Sequence, residues 1–273
     1  MIKNKFLRSW YRYSAYLRHS TLISELLYKM SRSCDSLITR MKFLIKLSLL
    51  LVLPCFAKAQ RQFTNVDSLT SELKNAPDDT LKMVALFNLA TYYGESNRDS
   101  CLFFADQGIS IAKKINQPLW VAHFLTEYQS FVAMKNGNLP LSFKLANEAL
   151  ELVKDRKNEN NVYIPNDYEF TDPHKFRLSQ VGYTIHQLGN IYLHGGNTKK
   201  AIEQYKEEIR IFESLSSKQA MGLVQGTMNI GYIYGVDNKL DSALIYNNKA
   251  LQYANLTGWK LYNGLILVHI ADV

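Results

Sequence analysis

The side chains suited to acid–base or metal chemistry are a scattered set of histidines and one cluster of carboxylates. Beyond residue 59 the histidines are His123, His174, His186, His194 and His269. No pair of them has the H-E-x-x-H spacing of a zinc-binding helix. His186 and His194 share a helix face, but eight residues place them about 12 Å apart, too far to bind one ion. The sequence therefore predicts no metal site and no cofactor.

The carboxylate cluster lies among basic residues on one helix. Its members are Glu203, Glu207 and Glu208, with Lys199, Lys206 and Arg210 around them. Opposite charges three and four residues apart pair on a helix surface, so this pattern predicts a solvated face. The chain has no G-x-S-x-G elbow, Walker loop or dinucleotide fingerprint, since Gly195-Gly196 belongs to a turn. We therefore expect no enzymatic activity in this chain.

A repeated helical hairpin carries these groups. The clearest copy has Leu188, Gly189 and Tyr192, then a turn at Gly195-Gly196-Asn197, then Ala201 and Tyr205; another has Ile230, Gly231, Tyr234, Ala243 and Ala250. The first small residue of each second helix is Cys101, Ser142, Ala201 or Ala243, giving separations of 41, 59 and 42. This spacing indicates a unit of about 42 residues with one insertion of about 17. One hairpin cannot bury its apolar face alone, so the units must stack and thereby present a surface.

The repeat resembles the tetratricopeptide repeat (TPR), whose signature W-x2-L-G-x2-Y, A-x3-F and P recurs at about 34 residues. The resemblance covers residues 80–273, although Leu86, Ile185 and Thr227 fill the tryptophan slot and the closing proline is absent. It implies an all-α fold, a right-handed α-solenoid of stacked antiparallel helix pairs. The long period is similar to that of the N-terminal extracytoplasmic TPR region of bacterial sensor histidine kinases and of TPR-fused regulators.

The resemblance also implies a binding groove. In TPR proteins the first helices line the concave face, and residues beside the crossing glycine contact the ligand. The corresponding residues here are Tyr183, His186, Asn190, His194, Gln225, Met228, Tyr232, Glu127 and Phe131. The lysines of the family's carboxylate clamp are missing, so a C-terminal carboxylate ligand is not implied. Packing between repeats is the alternative role for each aromatic residue.

The sequence divides into four parts. We predict a non-native or disordered basic extension at 1–40, a signal peptide at 41–59, a leader helix and linker at 60–79, and the solenoid at 80–273. The solenoid contains four hairpins and a truncated fifth, with the insertion near 154–176. That insertion is either a ligand-contacting flap or a tolerated surface loop that packs back onto the solenoid.

Residues 41–59 have the three parts of a secretory signal peptide in order. Lys42 and Lys46 precede an apolar run, which ends before Ala57-Lys58-Ala59. The run is too short to span a bilayer, which takes about 20 residues. A buried core helix is the alternative. Since the segment begins at Met41, we expect Met41 to be the true start; otherwise 1–40 is a basic cytoplasmic extension before an uncleaved anchor.

The net charge is concentrated outside the repeats. The first 59 residues hold eleven basic and two acidic side chains, a formal +9, so in a chain of +8 the remainder carries −1. A nearly neutral solenoid lacks the basic stripe that tracks phosphates, which argues against nucleic-acid binding. The expected partner is a protein or peptide, and the membrane is involved only through a signal or anchor segment or a downstream transmembrane helix.

The fifth hairpin stops in mid-helix at Val273, which predicts a longer parent protein with an output domain, such as a kinase, beyond it. We therefore expect a protein- or peptide-binding TPR module that is the sensory or scaffolding part of an exported bacterial signalling protein. Its expected location is periplasmic or membrane-associated, on the extracytoplasmic side. The alternatives are a free-standing periplasmic TPR scaffold and a cytoplasmic TPR regulator.

Overall fold

The computed structural model describes residues 66–94, 96–215, 221–257 and 260–271. Its helices are α1 (Val66–Lys74), α2 (Asp79–Tyr93), α3 (Arg98–Lys114), α4 (Pro118–Phe124), α5 (Phe131–Lys135), α6 (Leu139–Lys154), α7 (Pro173–His194), α8 (Thr198–Ser214), α9 (Met221–Val236), α10 (Leu240–Thr257) and α11 (Lys260–Ala271). The predicted extension and signal peptide lie outside the described residues. No strand occurs in the described ranges, and the all-α solenoid of stacked helix pairs is confirmed.

Four helix pairs follow one another along the stack. They are α2 with α3, α4 and α5 with α6, α7 with α8, and α9 with α10, and α11 packs on both helices of the fourth pair. The first helix of the second pair is interrupted by a π-helical segment, Leu125–Ser130, which joins α4 to α5. Each pair therefore contributes one first helix and one second helix.

Asparagine and aspartate side chains cap five of these helices. The side chains of Asp78, Asn97, Asn138, Asp172 and Asn197 each accept a hydrogen bond from the backbone N–H three residues later, at 2.8–3.2 Å. Each cap satisfies a donor that the first helical turn would otherwise leave without a partner. Local sequence therefore sets where the helices begin.

The turns inside the last three complete hairpins share a left-handed residue. Gly137 and Gly196 have φ of 77° and 76°, and Asn238 has φ of 57° at the corresponding place. Glycine and asparagine tolerate this conformation better than other residues do, and it reverses the chain at once after a helix. The short turn makes the two helices of a hairpin neighbours.

The insertion packs back onto the first helix of the second pair. Gln117 donates to the carbonyl of Asn161 at 2.7 Å and accepts from the backbone N–H of Tyr163 at 2.9 Å, and the indole of Trp120 donates to the carbonyl of Tyr163 at 2.8 Å. The Tyr168 ring lies 5.7 Å from the Trp120 ring. These bonds satisfy loop backbone groups that packing against the helix would otherwise leave unpaired.

The irregular stretch is slightly shorter than the predicted insertion. Residues from Pro173 onward already form the first turn of α7, because Asp172 caps that helix. At its other end, the carboxylate of Glu159 accepts from the guanidinium of the buried Arg177 on α7, which also donates to the carbonyl of Val153 at 2.8 Å. Both ends of the loop are thus tied to the helices that flank it.

Over the residues described, every helix is too short or too polar to cross a lipid bilayer.

Candidate ligand-binding site

All nine residues predicted to line a groove lie on first helices of the stack. Tyr183, His186, Asn190 and His194 lie on α7, Gln225, Met228 and Tyr232 on α9, Glu127 in the π-helical segment, and Phe131 at the start of α5. Two bonds join the π-helical segment to α7, one between the Thr126 and Thr184 hydroxyls at 3.1 Å and one from Gln187 to Ser130 at 3.2 Å. The second and third first helices are therefore direct neighbours.

Two of the nine side chains are exposed. Tyr232 is 40% exposed, and its ring lies 5.7 Å from the ring of His269 on α11. His194 is exposed at the end of α7, where partial burial and the positive charge of Lys135 lower the pKa of its imidazole. Both are accessible to a partner that approaches this face.

Four further residues are half-buried and are held by their neighbours. The Tyr183 ring lies 5.1 Å from the ring of Phe212, and the ammonium of Lys135 lies 5.4 Å from the centre of the Phe131 ring. Asn190 accepts a hydrogen bond from the Tyr205 hydroxyl at 2.8 Å, and Gln225 donates to the Tyr262 hydroxyl at 3.1 Å. These contacts orient the side chains and leave part of each one at the surface.

Met228 is placed differently from its predicted role. It is 3% exposed and packs with Ala250 and Ala254 of α10 and with Tyr262 and Ile266 of α11. A ligand would reach Met228 only by displacing α11. Its side chain therefore belongs to the core between the fourth pair and α11. The position of Met228 beside the glycine could not show this, because α11 is distant in sequence.

A buried ion pair lies behind the same face. The Nδ1 atom of His186 is 2.8 Å from Oε2 of Glu208, whose side chain is 0% exposed, whereas that of His186 is 16% exposed. The prediction of a solvated carboxylate face is wrong for Glu208. Glu207 does pair at the surface, with Arg210 at 2.8 Å. Glu208 is one position further round the helix and points inward between α7 and α9.

Glu208 is accommodated by a missing side chain on α9. A Cβ atom at Gly226 would stand only 2.8 Å from Oε2 of Glu208, much closer than carbon and oxygen atoms normally approach. Gly226 thus leaves the space that the carboxylate occupies. The pair is held by three helices: α7 supplies the imidazole, α8 the carboxylate and α9 the gap.

The environment shifts both ionisable groups. Burial alone would lower the pKa of His186, but the charge and hydrogen bond of Glu208, with a further contribution from Glu127, outweigh it and raise that pKa above 6.5. Burial raises the pKa of Glu208, and His186 offsets this only in part. Glu127 of the π-helical segment thus contributes to the raised pKa of His186 through its charge.

One comparison within the sequence does single out Glu208. When the four hairpins are aligned on the repeat, the position of Glu208 in the third is occupied by Gly108 in the first, Ala149 in the second and Ala250 in the fourth. A glutamate at a position otherwise occupied by small residues is a departure from the packing pattern. Charge spacing also distinguishes the two neighbours, since Glu207 has Arg210 three residues later and Glu208 has no basic residue three or four positions away.

Among the described residues, no group of three histidine, cysteine, aspartate or glutamate side chains is arranged to hold a metal ion.

Comparisons with known proteins place the chain by fold. No protein-family model and no curated protein sequence matches it. Among solved structures, BtubC (BKLC) from P. vanneervenii is similar with a TM-score of 0.52 and 14% identity, over 76% of this chain and 83% of that one. A Rap protein complexed with competence and sporulation factor is similar with a TM-score of 0.56 and 17% identity, over 93% of this chain. The match spans 65% of the Rap chain, just under two thirds of its length. At these identities the likeness concerns the helical-repeat fold.

Proposed function

We propose that this chain is a protein- or peptide-binding helical-repeat module whose ligand lies along the face of the first helices. The observation that carries the proposal is the row of exposed and half-buried side chains across successive first helices, with Glu127, Tyr183, Asn190 and Tyr232 among them. The similarly folded Rap protein was solved with a bound factor, which supports a binding role for such a stack.

The chemistry of this row suits an extended polypeptide. Tyrosines give large contact areas at a low cost in side-chain entropy and are enriched at binding hot spots. Asn190 lies between Tyr205 and the surface, where a carboxamide can pair with a peptide N–H or carbonyl. The apolar members of this row can contact side chains of an extended peptide, and the polar members can bond to its backbone.

Probing an array of short random-sequence peptides with the full chain tests this role. We expect Tyr232→Ala and Asn190→Ala to lower the number of bound peptides strongly. The matched controls are Tyr246→Ala and Asn147→Ala, which remove the same residue types from second helices. The variants and the controls must have the melting temperature of the wild type, so that a loss of binding does not reflect unfolding. Equal losses in variants and controls, or no bound peptide at all, would contradict the proposal.

We further propose that the module is the sensory or scaffolding part of an exported bacterial signalling protein. The support is the order of basic, apolar and small residues at 41–59, together with the near-neutral charge of residues 60–273. Expression of the full chain in a bacterial host, followed by fractionation and mass spectrometry of the N-terminus, tests export. A chain that begins at Gln60 outside the cytoplasm is expected, whereas an intact cytoplasmic Met1 would favour a cytoplasmic regulator.

A sensory module and a scaffold differ in the segments that follow the module in the same protein. An apolar segment of about 20 residues followed by a kinase or DNA-binding domain in the same reading frame would support the sensory role. A stop codon directly after one capping helix would support the free-standing scaffold instead.

A further inference from the structure

Three ionisable side chains from three elements converge at the face of the first helices. Glu127 comes from the π-helical segment, His186 from α7 and Glu208 from α8. His186 is bonded to Glu208 at 2.8 Å and lies within electrostatic reach of Glu127. The cluster thus brings the carboxyl groups of Glu127 and Glu208 to one imidazole.

The buried carboxylate is not needed for stacking. The first, second and fourth hairpins place Gly108, Ala149 and Ala250 at the position of Glu208, and these residues pack without any charge. Burying an ionisable group costs free energy unless it is paired and hydrogen-bonded. The hydrogen bond to His186 offsets part of this cost for Glu208.

Glu208 is also only half satisfied. Its Oε2 atom pairs with His186, but within the described part of the chain its buried Oε1 atom has no hydrogen-bond partner. A buried acceptor left without a donor is destabilising, and more so when it is charged. A donor that arrives with positive charge would remove this cost, and Gly226, the neighbour on α9, offers none.

We propose that Glu127, His186 and Glu208 form a subsite for a cationic group, an ammonium or guanidinium. This subsite rests on the proposed function, since its expected source is a lysine or arginine side chain of a bound peptide. The partly exposed imidazole of His186 stands between the surface and Glu208 and turns aside as the cation enters. Tyr183, one helical turn before His186, adds an aromatic wall of the kind that attracts cations.

The proposal makes the ligand cation and the imidazolium competitors for the same carboxylates. Binding of the cation therefore releases the proton from His186 and lowers the pKa of that imidazole. The groups that face His186 are Glu127 from the π-helical segment and Glu208 and Tyr205 from α8, whereas Gly226 from α9 is uncharged. Over the described ranges neither a lysine nor an arginine pairs with Glu208, whose partner is His186, so the ligand supplies the ammonium or guanidinium.

Titration of the full chain with ethylguanidinium, followed by NMR of the His186 ring protons, tests the subsite without any peptide. We expect a saturable shift and a lower His186 pKa in the wild type. Glu127→Gln and Glu208→Gln should each weaken binding about tenfold or more. Glu203→Gln, which removes the same charge from an exposed position of α8, should not. An absent shift, or equal shifts in all variants, overturns the proposal.

The random-peptide array distinguishes a peptide side chain from a free organic cation as the ligand. It also tests the subsite separately from the proposed peptide-binding function. Enrichment of lysine or arginine among peptides bound by the wild type, lost in Glu127→Gln, supports a peptide side chain as the source. Bound peptides without this enrichment overturn the subsite and leave the proposed function intact. A response to ethylguanidinium without any bound peptide instead supports a free organic cation and overturns the peptide-binding function. Glu127→Gln keeps the test valid if Glu208→Gln fails to fold.

Discussion

The ring of Tyr205 occupies the space that a side chain at Gly189 would need. A Cβ atom at Gly189 would stand 2.6 Å from Cε1 and 2.9 Å from Cδ1 of Tyr205. The same relationship recurs along α8, where the Phe212 ring fills the space left by Gly182 on α7 and Gly222 on α9. Large side chains on the second helix of the third hairpin therefore match glycines on the two first helices beside it.

This matching predicts that Gly189→Ala destabilises the fold. Although alanine is the better helix former, the added methyl group must push back a fully buried ring, and overpacking of this kind costs about 1–3 kcal/mol. Gly264→Ala is the matched control, because nothing lies within 4 Å of a Cβ atom there and α11 should gain about 0.5–1 kcal/mol. Urea unfolding of both variants measures the difference. A gain in stability at Gly189 would refute the packing account.

Removing the buried carboxylate should cost more than removing an exposed one. We expect Glu208→Ala to lower the free energy of unfolding by about 3 kcal/mol, since it leaves His186 behind without its partner. Glu203→Ala on the same helix should stay within about 0.5 kcal/mol of the wild type, because that side chain is exposed. Chemical denaturation gives both values. Similar effects at the two positions would show that Glu208 is not buried as described.

The titration of His186 should depend on Glu208. In Glu208→Gln the pKa of His186 should fall, because burial, which lowers it, is no longer opposed by the carboxylate. NMR titration of the ring protons measures this shift, with Glu203→Gln as the unshifted control. An unchanged His186 pKa in Glu208→Gln would mean that another group holds the proton.

The raised His186 pKa also has a consequence for stability. A folded-state pKa above the ordinary 6.5 means that the folded chain binds this proton more tightly than the unfolded chain does. The stabilisation from His186 is therefore fully present below pH 6.5 and is lost as the pH rises through the folded-state pKa. Urea midpoints of the wild type and His186→Gln across this range should converge toward high pH, and a gap that widens instead would contradict the sign.

The insertion should loosen when Gln117 is replaced. Gln117→Ala removes the two hydrogen bonds to the backbone of Asn161 and Tyr163, each worth about 0.5–1.5 kcal/mol. Hydrogen exchange at the Tyr163 amide and proteolysis within 155–172 should both accelerate. Gln107→Ala, an exposed glutamine on α3, should leave both rates unchanged. Unchanged exchange at Tyr163 in Gln117→Ala would show that other contacts hold the loop.

Much of the fold could be predicted because its determinants are local. The caps at Asp78 and Asn197 and the left-handed glycine Gly196 act within a few residues of chain, so their positions can be read directly. The repeat spacing then indicates that the hairpins stack, since each one has a single apolar face to bury. One further helix, α11, packs on the fourth pair, and the predicted fifth hairpin stays a prediction.

The candidate site could be predicted only in outline. Helical spacing put Tyr183, His186 and Asn190 on one face, but it could not show that Met228 is covered by α11 or that Tyr205 binds Asn190. Those outcomes depend on neighbours distant in sequence. The ring of Tyr192 likewise packs against a distant neighbour, 5.8 Å from the ring of Phe143 in the preceding hairpin, and the space beside Gly189 is filled by Tyr205.

Sequence alone determined the class of this protein, a stack of helical hairpins with an extra loop, because caps, turns and apolar period are properties of short segments. Only the tertiary structure decided that Glu208 is buried against His186 while Glu207 remains at the surface. Glu207 has Arg210 three residues away on the helix, whereas no lysine or arginine lies three or four positions from Glu208. The rotation of α8 between α7 and α9, set by the glycines that receive its large side chains, turns one of them inward.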